Sequence, residues 1–151
     1  MDQPYLLQSA GWRDFFQLRK LEQECFGVDA WPAMDLLTVL VIPHFVRIKV
    51  VLNGQMVGFI GGETKKGTNV GWIVTVGISP AHRRQGLARQ LLHACEQQLN
   101  VDWLRLSVRK SNLAAIQLYN SEGFVHIDTW SGYYRDGEDA LILEKGCNTD
   151  F

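Results

Sequence analysis

The chain has 151 residues, of which 46% are hydrophobic and 21% charged, with a formal net charge of −1 and a sequence pI of about 6.4. This is the composition of a globular protein long enough to bury a substantial core, and we expect one domain over residues 1–151. The balanced charge excludes the strongly basic surface of a general nucleic-acid binder, so we expect no nucleic-acid partner.

The cysteines and the N-terminus indicate the compartment. Cys25, Cys95 and Cys147 are widely spaced and include no CxxC pair, which argues against both a disulfide framework and a zinc site. The N-terminus lacks a basic segment followed by an apolar one, and the longest apolar stretch, residues 36–42, is far shorter than a membrane span. We therefore expect a cytoplasmic protein with no metal and no membrane partner.

The first half of the chain is predicted to form a strand, two helices and a hairpin. Residues 4–9 (PYLLQS) favour a strand, and the apolar spacing of residues 11–26 predicts a helix. Residues 32–41 favour a second helix beginning beside a proline, although their VLVI end would also suit a strand. The runs VRIKVVL and QMVGFIGGE flank Asn53-Gly54, a dipeptide typical of type I′ turns, which predicts a β-hairpin.

The second half alternates strands and helices. Residues 70–78 are almost continuously apolar, as expected of a central strand covered on both faces. A helical apolar stripe occupies residues 86–99, a strand pattern follows at 102–110 and a second helix at 111–124, closed by Gly123. The runs VHIDTW and DALILEK predict two final strands. Together these elements predict a single mixed α/β domain.

The stretch HRRQGLARQLL follows the predicted central strand and has an unusually basic helix entry. A helix N-terminus carries partial positive charge, so arginines there are unfavourable unless an anion binds. Gly86 would let the anion approach the first free N–H groups, and Arg83, Arg84 and Arg89 would balance the charge of a phosphate. The alternative is a solvated basic helix entry with no ligand. The G-x-G-x-x-G fingerprint of a dinucleotide fold and the Walker loop are both absent.

Two motifs resemble a known family. The run RRQGLA, residues 83–88, is similar to the R/Q-x-x-G-x-G/A signature of the GNAT superfamily of N-acetyltransferases. The segments VRKSNLAAIQLYNSEGF and GYYRDGEDALILEK resemble the corresponding region of RimI-type N-terminal acetyltransferases. The resemblance covers roughly residues 70–145. It implies a GNAT-like fold, with a mixed and mostly antiparallel central sheet of about seven strands, about four helices, and central strands that splay apart.

The resemblance also implies roles for individual residues. Acetyl-CoA would be the co-substrate, its pantetheine arm and acetyl carbonyl held by the backbone of Val76, Gly77 and Ile78. Asn112 would hydrogen-bond the cofactor arm, and Tyr119 would protonate the departing thiolate. The pyrophosphate would be held by the loop and helix entry, namely Arg83, Arg84, Gln85, Gly86, Leu87, Ala88 and Arg89.

These residues also have simpler interpretations. Asn112 is equally suited to capping the next helix, and Tyr119 also fits a half-buried aromatic residue of a helix stripe. Tyr133, Tyr134 and Trp31 would line the acceptor site in the family, or pack at sheet edges. Cys95 lies on the apolar stripe of its helix, which predicts an inert buried thiol.

One position departs from the family pattern. RimI-type enzymes carry a glutamate as general base where this chain has Ser107, and a serine hydroxyl can orient a water but cannot act as a base at neutral pH. An α-amine with a pKa near 8 is roughly a tenth neutral at pH 7, which costs about 1.4 kcal/mol, whereas a lysine near 10.4 needs almost 5 kcal/mol. Candidate replacement bases are Glu22, Glu24 and Glu63, each of which we expect to be a surface carboxylate.

Three functions remain open from the sequence. The first is an acetyltransferase of protein or peptide N-termini, and the second is the same chemistry on a small amine such as a polyamine, amino acid or antibiotic. Fold does not fix the acceptor. The third is a catalytically weak acyl-CoA binding module that lost its base. We expect a monomer or a homodimer.

Overall fold

The computed structural model describes residues 4–147. Its strands span Leu6–Ser9 (β1), Val46–Leu52 (β2), Gln55–Thr64 (β3), Val70–Ile78 (β4), Trp103–Arg109 (β5), Val125–Trp130 (β6) and Ala140–Gly146 (β7). Its α-helices span Phe15–Phe26 (α1), Ala33–Val41 (α2), Leu87–Leu99 (α3) and Leu113–Ser121 (α4). The element order matches the one predicted from the sequence.

The strands hydrogen-bond in the order β1-β2-β3-β4-β5-β7-β6. The pairs β1–β2, β2–β3, β5–β7 and β6–β7 are antiparallel, and β4–β5 is parallel. The β4–β5 pairing covers three residue pairs, from Val70 with Trp103 to Trp72 with Arg105, whereas β5–β7 covers seven. The structure confirms the predicted fold class. The sheet is mixed and mostly antiparallel, has seven strands, is open at its central strands, and is accompanied by four α-helices.

The described chain divides into two compact units. One comprises the chain up to Glu63 together with Val74–Leu99, and the other comprises Thr64–Ile73 together with the chain from Asn100 onward. The expectation of one domain over residues 1–151 stays a prediction.

The first unit is held together by the apolar faces of α1 and α2. Leu18 and Leu21 of α1 and Leu36 and Leu40 of α2 are buried with Phe59 of β3 in one core cluster. The VLVI end that would also suit a strand is helical as far as Val41, with Val39 and Leu40 buried in the core and Val41 exposed. In the same unit the buried stripe of α3 includes Cys95, which is fully buried.

The hairpin and the helix ends follow local sequence rules. Asn53 and Gly54 both have positive φ, as a type I′ turn requires. Asp14 ends a short 3-10 turn ahead of α1, accepts a hydrogen bond from the Gly11 N–H and pairs with Lys49 at 2.8 Å. These contacts fix α1 over the hairpin and thereby position its last turns against β4.

Candidate active site

The exit from β4 is anchored by side-chain hydrogen bonds. The Arg83 Nε donates to the Ile78 carbonyl at 2.9 Å, and the Cys25 thiol donates to the same oxygen at 3.4 Å. The Ser79 N–H donates to the Val57 carbonyl at 2.8 Å. Arg83 therefore supports the turn leaving β4, a contact that spacing alone did not indicate.

The predicted phosphate loop has an unusual backbone. Arg84 and Gly86 both lie in the left-handed region, with φ of 64° and 76°, and α3 begins at Leu87. The only other non-glycine residues with positive φ among residues 4–147 are Asn53 and Asn100, and asparagine tolerates this conformation far better than arginine. Successive N–H groups in such a turn, next to a helix N-terminus, form a concave site for an anion.

The loop is open on the side of Gly86. A Cβ built at this glycine meets no atom within 4 Å, and the side chains of Arg84 and Arg89 are exposed. The N–H groups in the first turn of α3 have no carbonyl partner within the helix, because no earlier turn exists. An incoming phosphate would therefore meet backbone donors and two cations.

The last turns of α1 cover one face of β4. A Cβ at Gly77 would lie 3.0 Å from the Cys25 sulfur and 3.4 Å from the Phe26 ring. Glycine at this position allows the helix to approach the strand closely. The same contact brings the carboxylate of Glu22 to the preceding part of the strand.

Glu22 is the residue whose environment sequence reasoning missed. It was expected to be a surface carboxylate, but it is 2% exposed, and its Oε1 accepts a 2.6 Å hydrogen bond from the Thr75 hydroxyl. Burial raises the pKa of Glu22, and the Thr75 hydrogen bond partly offsets that rise. Helical spacing could have indicated this burial, because Glu22 lies four residues after Leu18 and next to Leu21, both in the core.

The other two candidate bases lie in polar surroundings. Glu24 is exposed and accepts from the Ser79 hydroxyl at 3.3 Å. Glu63 pairs with His44 at 3.1 Å, and that histidine is largely exposed. Of the three carboxylates, Glu22 alone is withdrawn from solvent.

Tyr119 belongs to the second unit and is 8% exposed. It lies on α4, and its ring packs edge-on against Phe124 with centroids 5.8 Å apart. Burial, together with the nearby Tyr134, raises the pKa of Tyr119 to about 12. The hydroxyl therefore stays protonated through the physiological range, the state that a general acid needs.

Asn112 caps α4, and its side-chain oxygen accepts from the Ala115 N–H at 3.3 Å. The capping interpretation is thus confirmed, while its contact with a cofactor stays a prediction. Ser107 lies on β5 opposite Ile142 and is half-buried. It shares its strand face with Arg105 and Arg109, because side chains alternate along a strand.

A charged network, missed from the sequence, fixes the loop between β6 and β7. The Arg109 guanidinium binds Asp136 at 2.9 Å and Glu138 at 2.8 Å, and it lies over the Tyr134 ring at 4.1 Å. Hydrogen bonds to Ser111 and Arg109 lower the pKa of Glu138. The basic VRK and acidic DGED segments carried a signal for this pairing. Tyr134 is thereby fixed in place.

Comparison with known proteins gives one family. The model of the Acetyltransferase (GNAT) family matches residues 12–124. The catalytic subunit NAA10 of the N-terminal acetyltransferase A complex of Arabidopsis thaliana is 32% identical over 117 residues, which cover 73% of this chain and 61% of that protein. The N-alpha-acetyltransferase RimI of Mycobacterium tuberculosis is 30% identical over 131 residues, which cover 83% of this chain and 82% of that protein.

The solved structures agree. The crystal structure of the ribosomal-protein-S18-alanine N-acetyltransferase from Escherichia coli matches with a TM-score of 0.87 at 27% identity, over 98% of this chain and 97% of that one. The present chain spans less than two thirds, 61%, of the length of its Arabidopsis relative. Within the described residues, no helix is both long enough and apolar enough to cross a membrane.

Proposed function

The chain belongs to the acetyltransferase (GNAT) family, and on that premise we propose that it transfers an acetyl group from acetyl-CoA to the α-amine of a protein or peptide N-terminus. The RimI and NAA10 relatives, which are N-terminal acetyltransferases by name, support this acceptor class. Their similarity covers 73% and 83% of the present chain, and the family model matches residues 12–124, which include the phosphate loop and α4.

One observation carries the proposal. Arg84 and Gly86 turn the backbone through left-handed conformations directly before α3, beside open space and two exposed arginines. In the proposed complex the amides of residues 84–89 hold the pyrophosphate of acetyl-CoA. Arg83 supports the loop through the Ile78 carbonyl, and the backbone of Val76–Ile78 receives the pantetheine arm and the acetyl carbonyl.

The proposed reaction is direct transfer. The neutral amine attacks the acetyl carbonyl, its nitrogen forms the new C–N bond, and the C–S bond to CoA breaks. Backbone N–H groups of β4 stabilise the negative charge that develops on the carbonyl oxygen. Tyr119 gives its proton to the leaving thiolate, and the proton that the nitrogen loses on forming the amide replaces it, so that the phenol is restored. Cys95 takes no part, since burial raises the pKa of its thiol to about 12.

The proposal is tested first by acetyl-CoA turnover. The wild-type protein is assayed for CoA release with lysine-free peptides that carry a free α-amine, with N-terminally blocked lysine peptides, and with small amines. We expect the α-amine peptides to be preferred, because their amine is far more often neutral at pH 7 than that of lysine. Faster turnover of a polyamine, amino acid or antibiotic would contradict the acceptor class.

The phosphate loop is tested with a matched pair of glycines. Gly86 and Gly67 have φ of 76° and 77°, and a Cβ at either one meets no atom within 4 Å. Gly86→Ala and Gly67→Ala therefore carry the same backbone strain, but only the methyl group at residue 86 would obstruct the phosphate. We expect Gly86→Ala to weaken CoA binding about tenfold or more and Gly67→Ala to leave it unchanged, as measured by calorimetric titration. Equal affinities in the two variants would refute the phosphate site.

The compartment follows as part of the proposal. Cys25, Cys95 and Cys147 form no disulfide bond within residues 4–147, which supports a reducing, cytoplasmic location.

A further inference from the structure

Glu22 and Thr75 form a buried polar pair that the proposed reaction does not yet use. Glu22, in α1, is 2% exposed, and Thr75, on β4, is 9% exposed. The Thr75 hydroxyl donates to Oε1 of Glu22 at 2.6 Å, whereas Oε2 has no hydrogen-bond partner among residues 4–147. Buried polar atoms are nearly always paired, so a single unpaired carboxylate oxygen in a core calls for a reason.

Structural stability does not supply that reason. No ion pair to Glu22 forms within the described part of the chain. A buried carboxylate without a cation destabilises a fold relative to a neutral side chain of the same shape. Glutamine would accept the same Thr75 hydrogen bond without placing a charge in the core. Unlike glutamine, the glutamate present at position 22 can take up a proton.

The pair lies beside the strand segment assigned to the acetyl group. Thr75 directly precedes Val76–Ile78, and its side chain is on the same face of β4 as Gly77. On that face the last turns of α1 touch the strand, with Cys25 3.0 Å from a Cβ at Gly77. A threonine hydroxyl donates one hydrogen bond and can accept others. While Thr75 donates to Glu22, its oxygen can thus still accept from an amine.

We infer that Thr75 and Glu22 form a proton relay for the acceptor amine, with the Thr75 hydroxyl accepting a proton from the α-ammonium group and passing its own proton to Glu22. The inference rests on the proposed function, since it needs an amine acceptor at β4. Thr75 touches the acceptor, and Glu22 acts through Thr75. The relay supplies the base that Ser107 cannot provide.

The step conserves atoms and charge. One N–H bond of the ammonium group breaks as a new O–H bond forms on Thr75 Oγ1, and the original Oγ1–H bond breaks as a bond forms between that proton and Glu22 Oε1. The products are a neutral amine, which attacks the acetyl carbonyl, and a neutral carboxylic acid. After acetyl transfer, Glu22 returns its proton to water by the same route.

The pH dependence has a definite sign. Burial raises the pKa of Glu22, while hydrogen bonding with the Thr75 hydroxyl and, to a smaller extent, with the Trp31 backbone lowers it. The titratable neighbour on α1 is Cys25, and burial raises the pKa of its thiol, with Arg83 lowering that pKa and Glu22 and Glu24 raising it further. Protonated Glu22 cannot accept another proton, so activity falls as the pH drops through its raised pKa.

The decisive variant is Glu22→Gln, assayed with a lysine-free peptide that carries a free α-amine. Glutamine keeps the hydrogen bond from Thr75 but takes up no proton. We expect kcat to fall about 100-fold at pH 6, a usual size for a lost general base, and to recover to within about threefold at pH 9, where the α-amine is already neutral. The acid limb of the kcat–pH profile moves to about pH 8, the ordinary pKa of the α-amine. CoA affinity is unchanged, and the Tm at pH 8 is equal or higher because the buried charge is gone.

A second pair of variants tests the hydroxyl. Thr75→Val keeps the shape of the side chain but removes the relay, and we expect the same pH-dependent loss. Thr75→Ser retains the hydroxyl and should restore kcat to within about threefold of the wild-type value.

The outcomes separate the relay from the reaction itself. A loss in Glu22→Gln that is equal at every pH and accompanied by a lower Tm would overturn the relay in favour of a structural pair. A shifted acid limb in Glu24→Gln or Glu63→Gln, with none in Glu22→Gln, would assign the base elsewhere. Wild-type turnover with an unshifted limb in Glu22→Gln overturns the relay alone, whereas a wild-type protein that binds CoA without acetylating any amine overturns the proposed function and the relay together.

Discussion

Tyr119 carries its proposed chemistry on a single oxygen, so removing that oxygen tests the role directly. The ring packs against Phe124 and is almost fully buried, and Tyr119→Phe leaves that packing in place. We expect kcat to fall about 100-fold because the thiolate leaves without a general acid, while CoA affinity measured by calorimetry stays the same. An equal loss of CoA binding would show that the hydroxyl holds the cofactor instead.

Single residues also show which parts of the candidate site could be predicted from the sequence and which could not. The phosphate loop was predicted because arginines at a helix entry are electrostatically unfavourable without an anion. The burial of Glu22 was missed, because a charged residue in an amphipathic helix is usually solvated, and its partner Thr75 is 53 residues away in the chain. No local pattern indicates a contact of that sequence separation.

At the level of elements, Asn112 at the start of α4 has two roles to be distinguished: capping the helix and the proposed contact with the CoA arm. Its side-chain oxygen caps the helix through the Ala115 N–H. Asn112→Ala should lower the free energy of unfolding by about 1 kcal/mol, a usual value for a lost cap, whereas Asn112→Asp should preserve it. Urea denaturation measures both effects.

The same two variants report on the cofactor. If the Asn112 amide donates to the CoA arm, both variants weaken CoA binding, although only one loses the cap. Full CoA affinity in Asn112→Asp would limit the residue to capping.

The elements themselves were largely predictable, for physical reasons that differ between them. The hairpin at Asn53-Gly54 is specified by two residues that accept positive φ, and α3 by an apolar stripe. The end of α2 was ambiguous, because a short run of β-branched residues suits a helix or a strand until its packing is known. The Arg109 network was missed for a different reason: the basic VRK and acidic DGED segments indicate that opposite charges could pair, but not which side chains meet.

For the whole molecule, ligand binding should appear as thermal stability. CoA at 100 times its Kd stabilises the native state by about 2.7 kcal/mol, which for a chain of this size raises Tm by about 5 to 10 °C. Differential scanning fluorimetry measures the shift. Pantetheine at the same concentration lacks the phosphates and should give a much smaller shift.

That comparison also has a contrary outcome. Equal shifts from CoA and pantetheine would show that the phosphates are not recognised, and the same pair of titrations in Arg84→Ala would then give unchanged values. With phosphate recognition, Arg84→Ala reduces the CoA shift and leaves the pantetheine shift as it was.

Arg84 has a consequence for anyone who engineers this protein for heat resistance. An L-residue held in a left-handed conformation costs about 1–2 kcal/mol, and Arg84, unlike Asn53 and Asn100, has no intrinsic tolerance for its φ of 64°. A library selected only for thermal survival should therefore enrich Arg84→Gly. Such a selection would remove the positive charge of Arg84 from the phosphate loop, although every stability assay would report a more stable protein.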